Sequence, residues 1–281
     1  MEKLDRLGWV VGMSFISYGV RVGLRVNQPD ALDGLLAYLP EGWKPARSPV
    51  VERMYSLLIG APGPWSNVRR FHLLYGNAER LARTLELGSL CEAFETDLQL
   101  YVAQAARHRV FVHAGVVGWQ GQAIVIPGRS FSGKSTLVAE LVRAGAAYYS
   151  DEYAVVDPQG RVHPYPKPLS LRENGAARGK KYAMEELGGR AGSKPIPVGL
   201  VVVSAYKAGA RWRPHRLSPG QGGLALLAHT VSARRQPETV LATLQQVVSH
   251  ATVLQGTRGE AKEMVHTVLQ HCGDGMSPRW A

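Results

Sequence analysis

Cysteine is almost missing from this chain. Cys91 and Cys272 are the only two among 281 residues and lie far apart, so neither a disulfide framework nor a cysteine metal motif is available. Long apolar runs are missing as well. No stretch reaches the roughly 18 residues that a membrane-spanning helix requires, so no membrane partner is expected. The segment from Leu7 to Val20 is largely apolar and preceded by charges. It holds three glycines, however, and no small-residue cleavage site comes after it, so it reads as folded chain and the expectation is a cytoplasmic protein. Internal repeats and low-complexity tracts are absent too. Acidic side chains are scarce relative to basic ones, 22 against 33, which leaves a net charge of +11. That balance favours anionic partners such as nucleotides, acidic peptides, nucleic acid or membrane surfaces without choosing among them. Nucleic acid is set aside because no aromatic–basic motif supports it. What remains is ordinary globular material, 45% hydrophobic and 20% charged, enough for one large or two modest domains.

The first ~90 residues read as a small α+β unit. Val20, Val22, Leu24 and Val26 alternate with Arg21, Gly23 and Arg25, the signature of a half-buried strand. A short helix is expected after Asp30, a turn at Pro62-Gly63-Pro64, and another helix opening at Asn77 and stopping at Gly88. Nothing in this stretch suggests chemistry. From residue 91 the pattern sharpens into a second domain, 91–281. Phe94, Leu98, Tyr101, Val102 and Ala105 share one helical face, expected to pack against the strands C-terminal to it. Strands are expected at Arg109 to Val117 and Gln122 to Pro127, then a helix striped by Leu137, Val138, Leu141 and Val142 and ended by Gly145. Further on, Val198 to Val203 reads as a buried strand paired with Arg211 to Arg216 across a Lys207-Ala208-Gly209 turn. Helices at Pro237 to Ser249 and Gly259 to His271 flank a strand near Val253.

Between the second strand and its helix stands Gly128-Arg129-Ser130-Phe131-Ser132-Gly133-Lys134-Ser135-Thr136, which fits GxxxxGK[ST]. The residue types have physical reasons. Gly128 and Gly133 permit tight backbone that brings N–H groups close to phosphate oxygens. A helix N-terminus favours negative charge. Lys134 offers a point charge to the β- and γ-phosphates, and the Ser135 hydroxyl is a magnesium ligand type. Main-chain and side-chain groups of Gly128, Ser130, Ser132, Gly133, Lys134, Ser135 and Thr136 therefore make up the expected ATP·Mg²⁺ cradle. Such a site needs an acid near the metal. The strand Leu200 to Val203 runs into Ser204-Ala205 without one, whereas Asp151 and Glu152 stand just past the short strand after the motif helix.

Val112-His113-Ala114-Gly115-Val116-Val117, the hairpin into Gly128 to Thr136, and Ser150-Asp151-Glu152-Tyr153 together resemble the catalytic domain of HPr kinase/phosphorylase and its relatives. The resemblance covers roughly Glu92 to His271. It implies an α/β P-loop kinase domain of the type shared with phosphoenolpyruvate carboxykinases, preceded by the small α+β unit. It also implies that Asp151 is the general base toward an acceptor serine, and with Ser135 a metal ligand, that Glu152 is its acidic companion, and that His113 stands beside the active site. Which of Asp151 and Glu152 is base and which metal ligand stays open. The family's glutamate-isoleucine-arginine-glycine signature is not present. Pro168-Leu169-Ser170-Leu171-Arg172 stands instead, with Arg172 alone in a position to take the equivalent nucleotide-binding part, and this departure counts against both a phosphorylase activity and HPr itself as acceptor. The chain looks more like divergent serine-kinase relatives, some of which phosphorylate small precursor peptides. Lys167, Arg172, Arg178, Lys180, Lys181, Arg190 and Lys194 crowd a glycine-rich stretch that reads equally as a cationic clamp or as a solvated loop. The expected activity is ATP-dependent phosphorylation of a protein or peptide hydroxyl. A small-molecule kinase and an ATP-binding regulatory module without turnover are the alternatives, and a homo-oligomer is an open one.

Overall fold

A computed structural model describes residues 2–60, 70–130, 132–171 and 180–273. The chain forms two compact units that divide between His108 and Arg109. The expected Pro62-Gly63-Pro64 turn lies outside the described residues. No helix among them is long and apolar enough to cross a membrane.

The first unit contains α1 (Glu2–Asp5), β1 (Val11–Ser17), β2 (Val20–Val26), α2 (Pro29–Leu36), β3 (Lys44–Pro45), β4 (Arg53–Leu58), β5 (His72–Gly76), β6 (Glu79–Thr84) and α3 (Leu87–Ala105). Its strands form one sheet in the order β3-β1-β2-β4-β5-β6. The apolar stretch near the N-terminus is β1 and its hairpin turn, where Tyr18 and Gly19 both take positive φ (47° and 81°), as a two-residue loop matching strand twist requires. The alternating valines of β2 are fully buried with Leu24. Onto them fold Leu90, Phe94, Leu98 and Val102 of α3, four apart and therefore on one stripe.

Two expectations are corrected here. The helical face of α3 packs on the N-terminal sheet and not on the strands C-terminal to it, so the units divide at His108/Arg109 and not at residue 90. Periodicity shows that a face is apolar but names no partner for it. Asn77 opens no helix. It is the left-handed residue (φ 55°) in the tight β5–β6 turn, where its Oδ1 accepts from Met54 N–H at 2.9 Å. Gly88 lies in the first turn of α3 instead of ending a helix.

The second unit contains β7 (Val110–Trp119), β8 (Gln122–Pro127), α4 (Lys134–Arg143), β9 (Ala147–Ser150), β10 (Tyr153–Val156), β11 (Arg161–His163), β12 (Leu169–Leu171), β13 (Lys180–Tyr182), β14 (Ile196–Tyr206), β15 (His215–Arg216), α5 (Pro219–Leu227), α6 (Pro237–His250), β16 (Thr252–Arg258) and α7 (Ala261–Gly273). The main sheet runs β11-β10-β7-β8-β14-β16-β15, and β11 also pairs with β14, so the sheet curls back on itself. β7 and β8 are antiparallel, while β8, β14 and β16 are parallel neighbours. Strand alternation divides β8 between two cores. Ala123 and Val125 face Val240, Leu244 and Val247 of α6, whereas Ile124 and Ile126 face Leu137, Leu141, Met264 and Val268 of α4 and α7. Mixed α/β architecture with helices on both sheet faces results. The expected hairpin across Lys207 to Gly209 is corrected: the turn forms, but β15 pairs with β16, because β14 already has β8 and β16 on its two sides.

Candidate functional site

The glycine loop joins β8 to α4. β8 stays on the edge of β7 as far as Pro127, and Gly128 N–H still donates to His113 O at 3.3 Å. Beyond that point the chain leaves the sheet, and the loop returns as the N-terminus of α4. Gly133 caps that helix at φ 80°, a left-handed conformation that side chains resist. Gly115 of β7 lets the first turns of α4 approach closely, since a Cβ there would stand 2.5 Å from Val138 Cγ2. Lys134 is buried at the head of the helix, and its Nζ donates to Arg129 O at 2.8 Å. Burial pulls its ammonium below the usual lysine range, opposed by the charges of Asp151 and Glu152.

The two acids arrive from the other side of β7. β9 and β10 pair in turn with the same edge of β7, separated by a bend at Asp151–Glu152 where Ala114 N–H donates to Glu152 O at 3.2 Å. β9 therefore runs parallel to β8, one strand removed from it, and both C-terminal ends face the same way. The bend lets both carboxylates act on Lys134. Asp151 is partly buried, with Tyr148 Oη 3.3 Å from its Oδ1. Burial is the main reason its pKa rises, with the Glu152 charge adding and the nearby polar groups of Ser135, Ser170 and Tyr148 opposing. Glu152 is ion-paired to Lys167 at 3.2 Å.

His113 lies on β7 between these halves. Burial first, then the charges of Lys134 and His229, push its imidazole down to about 4, so it is neutral at pH 7. His229 was not singled out by the sequence. It reaches the site because, once β8 has departed, the α5–α6 connection takes over the vacated edge of β7. His113 N–H donates to His229 O at 2.8 Å and Val231 N–H to Phe111 O at 2.9 Å. His229 is likewise held below the usual imidazole range by burial and by the charges of Lys134 and Arg129.

Arg258 was also missed. It ends β16 and is 3% exposed, and its Nη2 donates to the carbonyls of Ser132 and Gly133, each at 3.1 Å. No local motif marks such a residue, since it lies more than 120 positions along the chain and reaches the loop only through the parallel β14–β16 pairing.

Of the expected site residues, the structure brings together Gly128, Ser132, Gly133, Lys134, Ser135, Asp151, Glu152 and His113. Ser130 and Thr136 are exposed members of the same loop and helix start. Arg172, with Phe131 and Arg178, lies outside the described residues. Of the remaining clamp cations, Lys167 sits against Glu152, and the Lys180 ammonium stands over the Tyr182 ring at 4.9 Å. Among the described residues no group of three or more His, Cys, Asp or Glu side chains gathers as a metal cage. One hydroxyl and one carboxylate, as Ser135 and Asp151 provide, suit a Mg²⁺ ion that keeps waters and takes its other ligands from phosphate oxygens. A groove of about 730 Å³ lined by Trp119, Ala144, Val265 and Leu269 sits at the opposite end of α4 from Lys134 and shares no residue with this site. The chain matches no known family profile and no curated protein sequence.

Proposed function

We propose that the second unit transfers the γ-phosphoryl group of ATP to a serine or other hydroxyl of a protein or peptide, as a divergent member of the HPr kinase/phosphoenolpyruvate carboxykinase type of P-loop fold. One observation carries the reading. The consecutive β7 residues His113 and Ala114 bond Gly128 on one edge and Glu152 on the other, so the acidic bend at Asp151–Glu152 stands one strand away from a glycine loop that feeds a helix N-terminus, and both its charges act on Lys134. In this reading the N–H groups at the start of α4 and the Lys134 ammonium hold the β- and γ-phosphates, Lys134 giving up the Arg129 carbonyl to do so. Ser135 and Asp151 would hold Mg²⁺, which supplies neutralisation of phosphate charge when bound. The acceptor oxygen forms its bond to the γ-phosphorus as the bridging P–O bond breaks and ADP departs. The hydroxyl proton passes to a carboxylate, Asp151 or Glu152. A raised Asp151 pKa suits the base role, because a base works best when its pKa approaches the ambient pH. His113, neutral and enclosed, contributes a polar wall without adding charge.

The test is incubation of the protein with labelled ATP, Mg²⁺ and cell extract, followed by identification of the labelled product, alongside nucleotide binding by calorimetry. Asp151→Ala is expected to lower transfer by about 10²–10⁴-fold while nucleotide affinity changes little. Nucleotide binding without any transfer by the wild-type chain would leave a regulatory module, and labelled small molecules in place of protein would make it a small-molecule kinase.

A further inference from the structure

Among the described residues, Arg258 is a guanidinium without an anionic partner. Its Nη1 donates to Gly259 O at 3.1 Å, its Nη2 to the two loop carbonyls, and its Nε, also buried, has no partner there. Glu260, the acid that acts on it electrostatically, is hydrogen-bonded at 2.7 Å to Tyr206 Oη, and the Tyr206 ring lies 5.4 Å from the guanidinium carbon. Taking a charge out of water without an opposite charge is costly, and carbonyl dipoles offset only part of that cost.

The surroundings add to the burden. The positive end of the α4 dipole, the buried Lys134 and the guanidinium of Arg258 converge on one loop. The last contact is so close that a Cβ on Gly133 would collide with Nη2. Against these three positive features stand Asp151, Glu152, which is paired to Lys167, and Glu260, which is hydrogen-bonded to Tyr206.

We propose that Arg258 is a fixed counter-charge and positioning residue for the phosphate cradle. By pulling on the Ser132 and Gly133 carbonyls it turns the intervening N–H groups toward the ligand, and its own charge is neutralised only when a di- or triphosphate is bound. This rests on the phosphate-site reading and assigns that site a cation supplied from β16, outside the glycine motif.

A prop that works through hydrogen bonds alone and a charge that works through space respond differently to substitution. Arg258→Gln keeps an N–H donor for the carbonyls and removes the charge; Arg258→Lys keeps the charge and loses the planar fork. Binding of inorganic triphosphate, measured by calorimetry and by the rise it gives in thermal midpoint, is expected to weaken by about tenfold or more in Arg258→Gln. In Arg258→Lys most of the affinity is expected to survive. Arg258→Gln binding as tightly as wild type, or Lys faring worse than Gln, overturns the proposal. A second measurement needs no variant. In the ¹⁵N-labelled wild-type protein the Arg258 Nε–H resonance should shift when triphosphate is added, and an unmoved resonance in a protein that binds triphosphate counts against the assignment. If wild-type protein shows no affinity for triphosphate at all, the phosphate site itself fails, and the role of Arg258 fails with it. Affinity unchanged in Arg258→Gln refutes the role of Arg258 alone.

Discussion

At the scale of single residues, Asp151 and His113 are opposites in their response to pH. Asp151 is raised by burial, so the folded chain holds its proton more tightly than the unfolded chain does. Ionising it therefore costs stability as pH rises from the ordinary carboxylate range through its folded value. Asp151→Asn removes that cost and is expected to raise the thermal midpoint at pH 7 relative to wild type while lowering transfer as Asp151→Ala does. A lower midpoint would mean that the polar groups around the carboxylate, Tyr148 among them, outweigh desolvation. His113 is lowered, from 6.5 to about 4, and the unfolded chain takes up its proton first. Stability then falls as pH drops through that window. His113→Gln, which does not titrate, should flatten the pH dependence of unfolding free energy between 6.5 and about 4, as read from urea melts at stepped pH.

At the scale of elements, the strand–loop–helix around Lys134 was readable because each part announces itself locally. A short apolar run marks β8, glycine and lysine spacing marks the loop, and a 3.6-residue apolar stripe marks α4. The bend between β9 and β10 was not readable, although the adjacent acids hinted that a straight strand would turn only one of them inward. Nor were His229 and Arg258, whose places depend on which strand edge the α5–α6 connection fills and which neighbour β16 takes. Asn77 was misread because αL-tolerant turn residues and helix-opening residues are the same short polar types. Gly133 is the element's most exacting position. Gly133→Ala combines left-handed backbone with a collision against Arg258, and is expected to cost about 1–2 kcal/mol of folding stability or more. It should also remove the stabilisation given by triphosphate, and thermal melts with and without that anion measure both effects.

At the scale of the whole molecule, composition indicated an ordinary globular chain and an excess of positive charge, and both are compatible with two mixed α/β units. The division between them escaped because α3 carries an apolar stripe that suits either side. All the expected site residues that are described fall in the second unit. Hydrogen exchange followed by mass spectrometry is thus expected to show new protection, on adding ATP and Mg²⁺, around Ser132–Ser135 and Ser150–Tyr153. The core amides of β1, β2 and β4 should be unchanged. Protection gained in the first unit's sheet would relocate the nucleotide site.

One strand serves as the common ruler. His113 and Ala114, consecutive on β7, contact the start of the glycine loop on one edge and the acidic bend on the other. The span from loop to carboxylate is thus two inter-strand steps of about 4.8 Å each, whatever path the chain takes in between. Insertions at the far end of α4, around Ala144–Gly145, would leave that span alone. A register slip of β7 against either neighbour would pull the two halves out of alignment, although every residue on them stayed the same.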